Sequence, residues 1–149
     1  MTFPFAGQEA PPFDAGLLRT YRASEYVCRN YRLRPGIVNG RWAEYLAENG
    51  HGSFTFVTAY NPYSDATTPP HVNLARAQVL RNWVREQGYA WLPAAGVDPS
   101  GDWPVEVGVM VFDLPLGRAL EVGAGFGQHA ICYGGVEGVL EVLWCRCGL

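Results

Sequence analysis

Ser53-Phe54-Thr55-Phe56-Val57-Thr58-Ala59 is the stretch on which the predicted fold depends. Most of its residues are β-branched or aromatic, and the two phenylalanines alternate with threonine and valine, which favours a strand. Val105–Phe112 is nearly all apolar, as is typical of a strand covered on both faces. We therefore predict that these two segments are adjacent antiparallel strands at the centre of one sheet.

The segments around this pair give a regular order of helices and strands. Helices are predicted at 14–24, 41–48, 71–87 and 116–124, and further strands at 26–33, 89–94, 128–133 and 139–145. From residue 53 to residue 133 the order is β-α-β-β-α-β, which is that of the split β-α-β, ferredoxin-like fold. We expect an α+β protein with this ferredoxin-like core, a mainly antiparallel sheet, an N-terminal helix-and-strand extension and an added C-terminal strand. Residues 1–13 are expected to be a loose N-terminal segment, and 14–149 a single α+β domain.

The predicted helix over 71–87 has the clearest amphipathic pattern in the chain. Its apolar residues recur at three-and-four spacing, which predicts one buried stripe. The stripe comprises Val72, Ala75, Val79, Leu80, Trp83 and Val84, and Gly88 ends the helix.

Composition excludes several classes of protein. Hydrophobic residues make up 48% of the 149 residues and charged residues 17%, which favours a folded core over a disordered chain. The long uncharged run over 122–136 is interrupted by glycines, Gln128 and His129, so no membrane segment is predicted. The N-terminus has neither a basic start nor the apolar stretch of a signal peptide. We expect a cytoplasmic protein.

Charge is unevenly distributed along the chain. Residues 19–41 hold six arginines and a single acid, Glu25, whereas residues 86–149 hold eight acids and two arginines. Four aromatic residues stand among or beside these arginines, namely Tyr21, Tyr26, Tyr31 and Trp42. Arginines interleaved with aromatics are typical of single-stranded nucleic-acid binding, so the segment 19–41 gives one functional hypothesis. The net charge of −3 argues against it, and pairing of the basic and acidic parts within the protein is the simpler interpretation.

The four cysteines do not predict a metal site. Their positions, 28, 132, 145 and 147, are too irregular for a zinc ribbon, and a cytosolic location disfavours disulfides. His129 together with Cys132, Cys145 and Cys147 offers four soft ligands. Residues 129 and 132 nevertheless face opposite sides of a strand, because their separation is odd. We predict buried thiols and no bound metal.

Polar side chains cluster at one predicted edge of the sheet. In the ferredoxin-like order, the end of strand 53–59 lies beside the starts of strands 105–112 and 128–133, near the first turn of helix 71–87. The ligand-binding candidates at this edge are Tyr60, Asn61, Ser64, Asn73, Glu106, Gln128 and His129, with Trp103 beside them. Amide, carboxylate and aromatic groups that converge are typical of a small-ligand site.

Each candidate also has a purely structural interpretation. Asn61-Pro62 with Ser64 is a common way to end a strand in a turn. Glu106 can pair with an arginine from the N-terminal third, Gln128 can satisfy the backbone of the loop after Asn61, and His129 can be a hydrogen-bonded surface residue. The sequence leaves both interpretations open.

Two motifs resemble a known family. Thr58-Ala-Tyr-Asn-Pro-Tyr-Ser64 fits the pattern TAxNPxS, and Phe126-Gly-Gln-His-Ala130 fits FGQxA. On these motifs the chain resembles a small bacterial family known only as domain of unknown function 3293. Asn73, Asp98-Pro99 and the Trp103–Glu106 step follow the pattern more loosely, and Tyr60 stands where the family more often has tryptophan. The resemblance implies an architecture and a candidate site but no activity.

A glycine-rich motif also resembles part of a different family. Leu120-Glu-Val-Gly-Ala-Gly-Phe-Gly127 is similar to the signature of class I S-adenosylmethionine-dependent methyltransferases. In that family the motif follows the first strand and more sheet comes after it, whereas 22 residues follow Gly127 here. The segment 129–135 is also a poor helix former. We predict no cofactor, and we interpret the glycines as the end of a helix.

The functional hypothesis is a binding or regulatory module whose polar edge holds a small ligand or a partner segment. One alternative is an enzyme with Glu106 or His129 as general acid or base. No Ser–His or Cys–His pair, metal-ligand set or phosphate-binding loop is recognisable in the sequence. The other alternative is nucleic-acid binding through the segment 19–41. A homodimer is also compatible with an apolar strand over 139–145 at the edge of the sheet.

Overall fold

The computed structural model describes residues 2–146, which form one seven-stranded sheet with helices on both faces. The helices are α1 (Ala15–Ala23), α2 (Gly40–Glu48), α3 (Pro70–Glu86) and α4 (Leu116–Gly125). The strands are β1 (Glu25–Cys28), β2 (Tyr31–Leu33), β3 (Ser53–Thr58), β4 (Trp91–Val97), β5 (Glu106–Phe112), β6 (Ala130–Gly135) and β7 (Leu140–Trp144). Their order in the sheet is β2-β1-β4-β5-β3-β6-β7, and each neighbouring pair is antiparallel. The protein is therefore an α+β protein.

The prediction for the two central strands is confirmed. β3 and β5 are antiparallel neighbours, with Phe54 opposite Phe112 and Thr58 opposite Gly108. β6 lies on the other side of β3, so residues 54–58 are buried throughout. Cover on both faces explains why neither strand carries the polar alternation of a surface strand.

Two apolar cores lie on opposite faces of this sheet. Phe54 and Phe56 point into the first core, which α2 closes with Trp42 and Leu46. Val57 points into the second core, which is filled from α3 and α4. The alternation of side chains along β3 thus gives each core a share of the same strand. α1 packs over the first core through partly buried Leu18 and Tyr21.

The predicted single strand over 26–33 is wrong, because the segment is a hairpin. β1 and β2 pair around a turn at Arg29, whose φ of 52° is left-handed, and β1 also pairs with β4. The hairpin adds two strands to the β4 edge of the sheet. Glu25, at its start, accepts hydrogen bonds from Arg32 at 3.1 Å and from Arg34 at 3.0 Å.

The buried face of α3 differs from the predicted stripe. Leu80, Trp83 and Val84 are buried as expected, but Ala75 and Val79 are exposed. The buried line is completed by residues Asn73 and Ala77 instead. The face is rotated because the first turn of the helix packs its Asn73 amide against the loop after β3.

Residues 2–13 contain no helix or strand, yet they contact the second core. The ring of Phe3 packs edge-on against Trp83, with 5.5 Å between centroids. The Phe5 amide donates a hydrogen bond to the Gly125 carbonyl at 2.8 Å. No helix within the described residues is long and apolar enough to cross a membrane.

The glycine-rich motif over 120–127 lies in α4 and the turn after it, rather than after a strand. A Cβ on Gly123 would lie 2.5 Å from Cγ2 of Ile131 and 2.7 Å from Sγ of Cys145. A Cβ on Gly125 would lie 2.5 Å from the Phe3 ring. Gly127, at φ 73°, follows the helix end as a left-handed residue. The first two glycines let α4 approach β6 and the N-terminal segment closely.

The close approach at Gly123 predicts the effect of a single methyl group. Gly123→Ala should lower the free energy of unfolding by about 1–3 kcal/mol, because the added Cβ overlaps Ile131 and Cys145. Gly117→Ala is the matched control in the same helix, since a Cβ there meets nothing within 4 Å. It should raise the free energy of unfolding by about 0.5–1 kcal/mol through helix propensity. Urea denaturation of both variants checks this, and equal effects would contradict the packing argument.

Candidate functional site

Asn61, Asn73 and Glu106 form a hydrogen-bonded cluster at the edge where β3 ends and β5 begins. The Asn61 backbone amide donates to Asn73 Oδ1 at 2.9 Å, and Asn73 Nδ2 donates to Asn61 Oδ1 at 3.0 Å. Asn61 Nδ2 in turn donates to Glu106 Oε2 at 2.8 Å. Both asparagines are buried, so these bonds replace the water that each amide would otherwise need.

The loop that carries Asn61 has an unusual backbone. Asn61, Tyr63 and Ser64 all have left-handed φ values, of 47°, 55° and 60°. Asparagine accepts this conformation readily, whereas tyrosine and serine do so at a cost. The loop is held by the Tyr63 amide, which donates to the Gly127 carbonyl at 2.7 Å. Strain of this kind is frequent at functional sites.

Gln128 ties the same loop to the end of α4. Its Nε2 donates to the Tyr60 carbonyl at 3.0 Å and to the Phe126 carbonyl at 3.3 Å. The side-chain nitrogen is therefore committed to the backbone, and the carbonyl oxygen Oε1 makes no hydrogen bond within residues 2–146. Gln128 thus satisfies backbone carbonyls of the loop, as its structural interpretation expects, while its Oε1 oxygen has no hydrogen-bond donor within residues 2–146.

Ser64 and His129 form a second cluster with Tyr21 of α1. Ser64 Oγ lies 2.7 Å from His129 Nδ1 and 2.7 Å from the Tyr21 hydroxyl oxygen. Burial lowers the pKa of His129, which favours the neutral imidazole. Burial also raises the pKa of Tyr21 to about 12. This Ser–His pair was not recognisable in the sequence, because its members are 65 positions apart.

A partly open cavity of about 40 Å³ lies between this edge of the sheet and α1. Glu106, Gln128, Thr58 and Trp103 line its floor, and Tyr21 and Tyr26 help to roof it. Of the seven predicted site residues, only Glu106 and Gln128 line this cavity.

The other five predicted residues lie around the cavity. Tyr60, Asn61 and Asn73 line a shallow surface groove on the far side of the Asn61 amide. Ser64 and His129 do not line the cavity. The Ser64 hydroxyl is hydrogen-bonded both to the Tyr21 hydroxyl and to His129 Nδ1. Thr20, Tyr21, Ser24 and Tyr26 also line the cavity, and no pattern in the sequence predicted them as ligand-binding residues. The arginine–aromatic pattern drew attention to the two tyrosines, but for nucleic-acid stacking.

Among the residues that the structure describes, Glu106 has no cationic partner in this cavity. No Arg or His within residues 2–146 forms an ion pair with it, in contrast to Glu25 with its two arginines. Burial raises the pKa of the Glu106 carboxyl, and the Asn61 amide and the nearby Trp103 indole only partly offset this rise. The Trp103 Nε1 nitrogen is itself buried without an acceptor in hydrogen-bond geometry. A carboxyl in this state can hold a proton or attract a cation.

The aromatic residues of the segment 19–41 are not displayed for stacking on bases. Trp42 is fully buried and Tyr26 is 5% exposed. Tyr31 packs against Trp42 and Tyr45 in the first core. Two of the six arginines, Arg32 and Arg34, are paired with Glu25. Because Glu25 belongs to the same segment, these ion pairs do not join the basic part of the chain to the acidic part.

The described cysteines are free thiols. Cys28 and Cys132 are buried, and burial raises the pKa of Cys28 to about 11 and that of Cys145 to about 12. Within residues 2–146 no group of three or more His, Cys, Asp or Glu side chains is placed to hold a metal ion. Cys147, the fourth soft ligand considered above, lies outside the described residues.

Comparison with known proteins identifies a family. A family described as "Protein of unknown function (DUF3293)" matches residues 57–131, which is half of the chain. The matched span holds Thr58, Trp103, Glu106 and Gln128 of the cavity lining, whereas the lining residues of α1 and β1 lie outside it. No curated protein and no solved structure matches.

The Asn61 cluster predicts different effects for two substitutions of one residue. Asn61→Gly removes the side-chain hydrogen bonds but keeps the left-handed backbone, and should cost about 1–3 kcal/mol of unfolding free energy. Asn61→Ala adds the cost of a Cβ at φ 47°, roughly a further 1–2 kcal/mol. Chemical denaturation of both variants tests this. Equal stabilities would show that the backbone at residue 61 relaxes.

Glu106→Gln predicts a pH-dependent difference from wild type. Because burial raises the folded-state pKa of Glu106, the stability linked to its proton is present at acid pH and is lost as the pH rises through that pKa. The Gln variant does not ionise, and should therefore gain stability relative to wild type as the pH rises from about 4 to about 8. Urea denaturation across this range measures the difference. Glu48→Gln, which removes an exposed acid, is the matched control, and a Glu106→Gln difference independent of pH would contradict the prediction.

Proposed function

The chain belongs to the DUF3293 family of proteins of unknown function, and we propose that residues 14–149 act as one domain that binds a small polar ligand. The ligand enters the cavity beneath α1, and Glu106 and Gln128 bind it. The observation that carries the proposal is the Glu106 carboxyl, which lies in this cavity without a cationic partner within the described residues.

A charged group of this kind is costly to the folded protein. Desolvation of a carboxylate costs several kcal/mol unless a cation or several donors compensate it. Here one amide donates at 2.8 Å and the Trp103 indole lies nearby, but no cation within residues 2–146 compensates the charge. Replacement by an apolar residue would avoid the cost, so a ligand that completes the site is the simplest account.

The fold supports this position for the site. We interpret β3-α3-β4-β5-α4-β6 as a ferredoxin-like unit, on the basis of the strand order β4-β5-β3-β6 and the antiparallel pairing. In this arrangement the end of β3 and the start of β5 share one edge of the sheet. Thr58, Glu106 and Gln128 therefore come from three chain segments but lie beside one cavity.

One specific observation supports the alternative that the protein is an enzyme. Glu106 has a raised pKa and lines a cavity, as a general base or acid would. His129 does not line the cavity, and its Nδ1 is hydrogen-bonded to Ser64. In this alternative Glu106 alone carries the proton and His129 positions Tyr21. We rank binding first because the cavity contains no nucleophile placed next to a base.

Ligand retention tests the proposal directly. Native mass spectrometry of the freshly purified protein should show a bound small molecule that is released on denaturation. Ala130→Val, which adds two methyl groups at the cavity wall, should abolish retention while the free energy of unfolding stays equal or rises by about 0.5–2 kcal/mol. Gly117→Ala, on the far side of the sheet, is the control that should retain the ligand.

Two results of these experiments would contradict the proposal. Absence of any bound molecule in the wild type, followed by no saturable binding in a metabolite screen by ligand-detected NMR, would overturn the binding proposal. Equal retention by wild type and Ala130→Val would place the ligand elsewhere.

A further inference from the structure

We propose that the cavity beneath α1 selects a small organic cation, namely the protonated amine head group of a primary or N-methylated amine. This inference deepens the proposed binding function and rests on it. It follows from the hydrogen-bonding groups that line the cavity, from its aromatic walls and from its size.

The donors around the cavity are already committed. Thr58 Oγ1 donates to the Val107 carbonyl, and the Tyr26 hydroxyl donates to the Tyr21 carbonyl. The Thr20 and Ser24 hydroxyls donate to two carbonyls of α1, those of Gly16 and Thr20 respectively. Gln128 Nε2 donates to two backbone carbonyls. The exception is the Trp103 indole N–H, which lies next to the Glu106 carboxyl.

The cavity groups that are still free to form hydrogen bonds are mostly acceptors. Glu106 Oε1 and Gln128 Oε1 accept no hydrogen bond that meets full geometry within residues 2–146. The hydroxyl oxygens of Thr20, Ser24 and Tyr26 each keep lone pairs beyond the bond that they donate. Asp98 also lines the cavity, but its two oxygens already accept hydrogen bonds from Ser100 and Trp103. A cavity that offers free acceptors and the Glu106 carboxylate is complementary to a group with several N–H donors and a positive charge. A neutral carbonyl or an anion would find almost no free donor there.

The walls of the cavity suit the same group. Tyr26 and Phe56 pack with ring centroids 5.2 Å apart, and Tyr21 and Trp103 also line the cavity. Aromatic faces around a carboxylate attract alkylammonium groups through cation–π interactions. The cavity is less suited to bind a bare metal ion, because no group of three or more metal-ligating side chains converges within the described residues.

Size limits the occupant to a head group, and an adjoining groove gives the rest of the ligand a path. The cavity of about 40 Å³ has room for roughly three water molecules or an amine of a few non-hydrogen atoms. Thr20, Asp98 and Trp103 line both this cavity and an open groove of about 490 Å³. Asp98 and Asp102 place acidic groups at that mouth, opposite Arg19. The chain contains no lysine, so a second copy has no such side chain to insert.

Titration with methylammonium chloride tests the inference on the intact protein. The Trp103 indole N–H, assigned by comparison with Trp103→Phe, should shift in ¹H–¹⁵N spectra and should saturate. Equal concentrations of sodium chloride and of methanol, the neutral counterpart of similar size, should produce no saturable shift. Glu106→Gln should weaken methylammonium binding about tenfold or more, because it removes the charge that faces the ammonium. Glu48→Gln, which removes an exposed acid, should leave it unchanged.

Several results would overturn the inference. Methanol that binds as well as methylammonium, or no saturable shift in the wild type, would exclude a cation-selective cavity, and neither result depends on a variant that must fold. A shift that persists in Ala130→Val would place the cation outside the cavity. If native mass spectrometry shows a neutral or anionic ligand that Ala130→Val loses, the binding function stands and the cation inference fails.

Discussion

The side chain of Asn61 connects the parts of this protein that define the candidate site. Its carbonyl oxygen accepts from Asn73 at the start of α3, and its amide nitrogen donates to Glu106 at the start of β5. Its left-handed backbone turns the chain out of β3 at that point. One short polar side chain thus sets the direction of the loop, the position of the helix and the orientation of the carboxyl. An apolar residue would supply none of these bonds, and a longer amide would not fit the same spacing.

The central part of the fold could be predicted because its signals are local. Phe54 and Phe56 alternate with Thr55 and Val57, and the apolar run of β5 is long enough to require cover on both faces. The hairpin of β1 and β2 could not be predicted in this way, because its turn at Arg29 lacks the glycine or proline that marks most turns. The phase of α3 was also missed, since a polar residue in its first turn is buried by a partner 12 positions away.

The candidate site was predictable only in part. Strand order brings Asn61, Glu106 and Gln128 to one edge of the sheet, and this followed from the order of the elements. Which of these side chains faces a cavity depends on α1, a helix with no buried residue of its own that packs across the first core. The hydrogen bond between Ser64 and Tyr21 spans 43 positions, and no local pattern encodes such a contact. The sequence therefore predicted the edge, but neither the roof nor the cavity beneath it.

Two glutamates of this chain show why the unpaired carboxyl carries the functional argument. Glu25 is buried, and the hairpin supplies Arg32 and Arg34 to compensate its charge, so its pKa falls. Glu106 is only partly buried by solvent exposure, yet its pKa rises because desolvation of the carboxyl outweighs one amide and one indole. The fold can thus place arginines on a buried acid where the acid is structural. Because no arginine within residues 2–146 pairs with Glu106, the proposed binding of a cation next to that carboxyl would meet no competing ion pair from these residues.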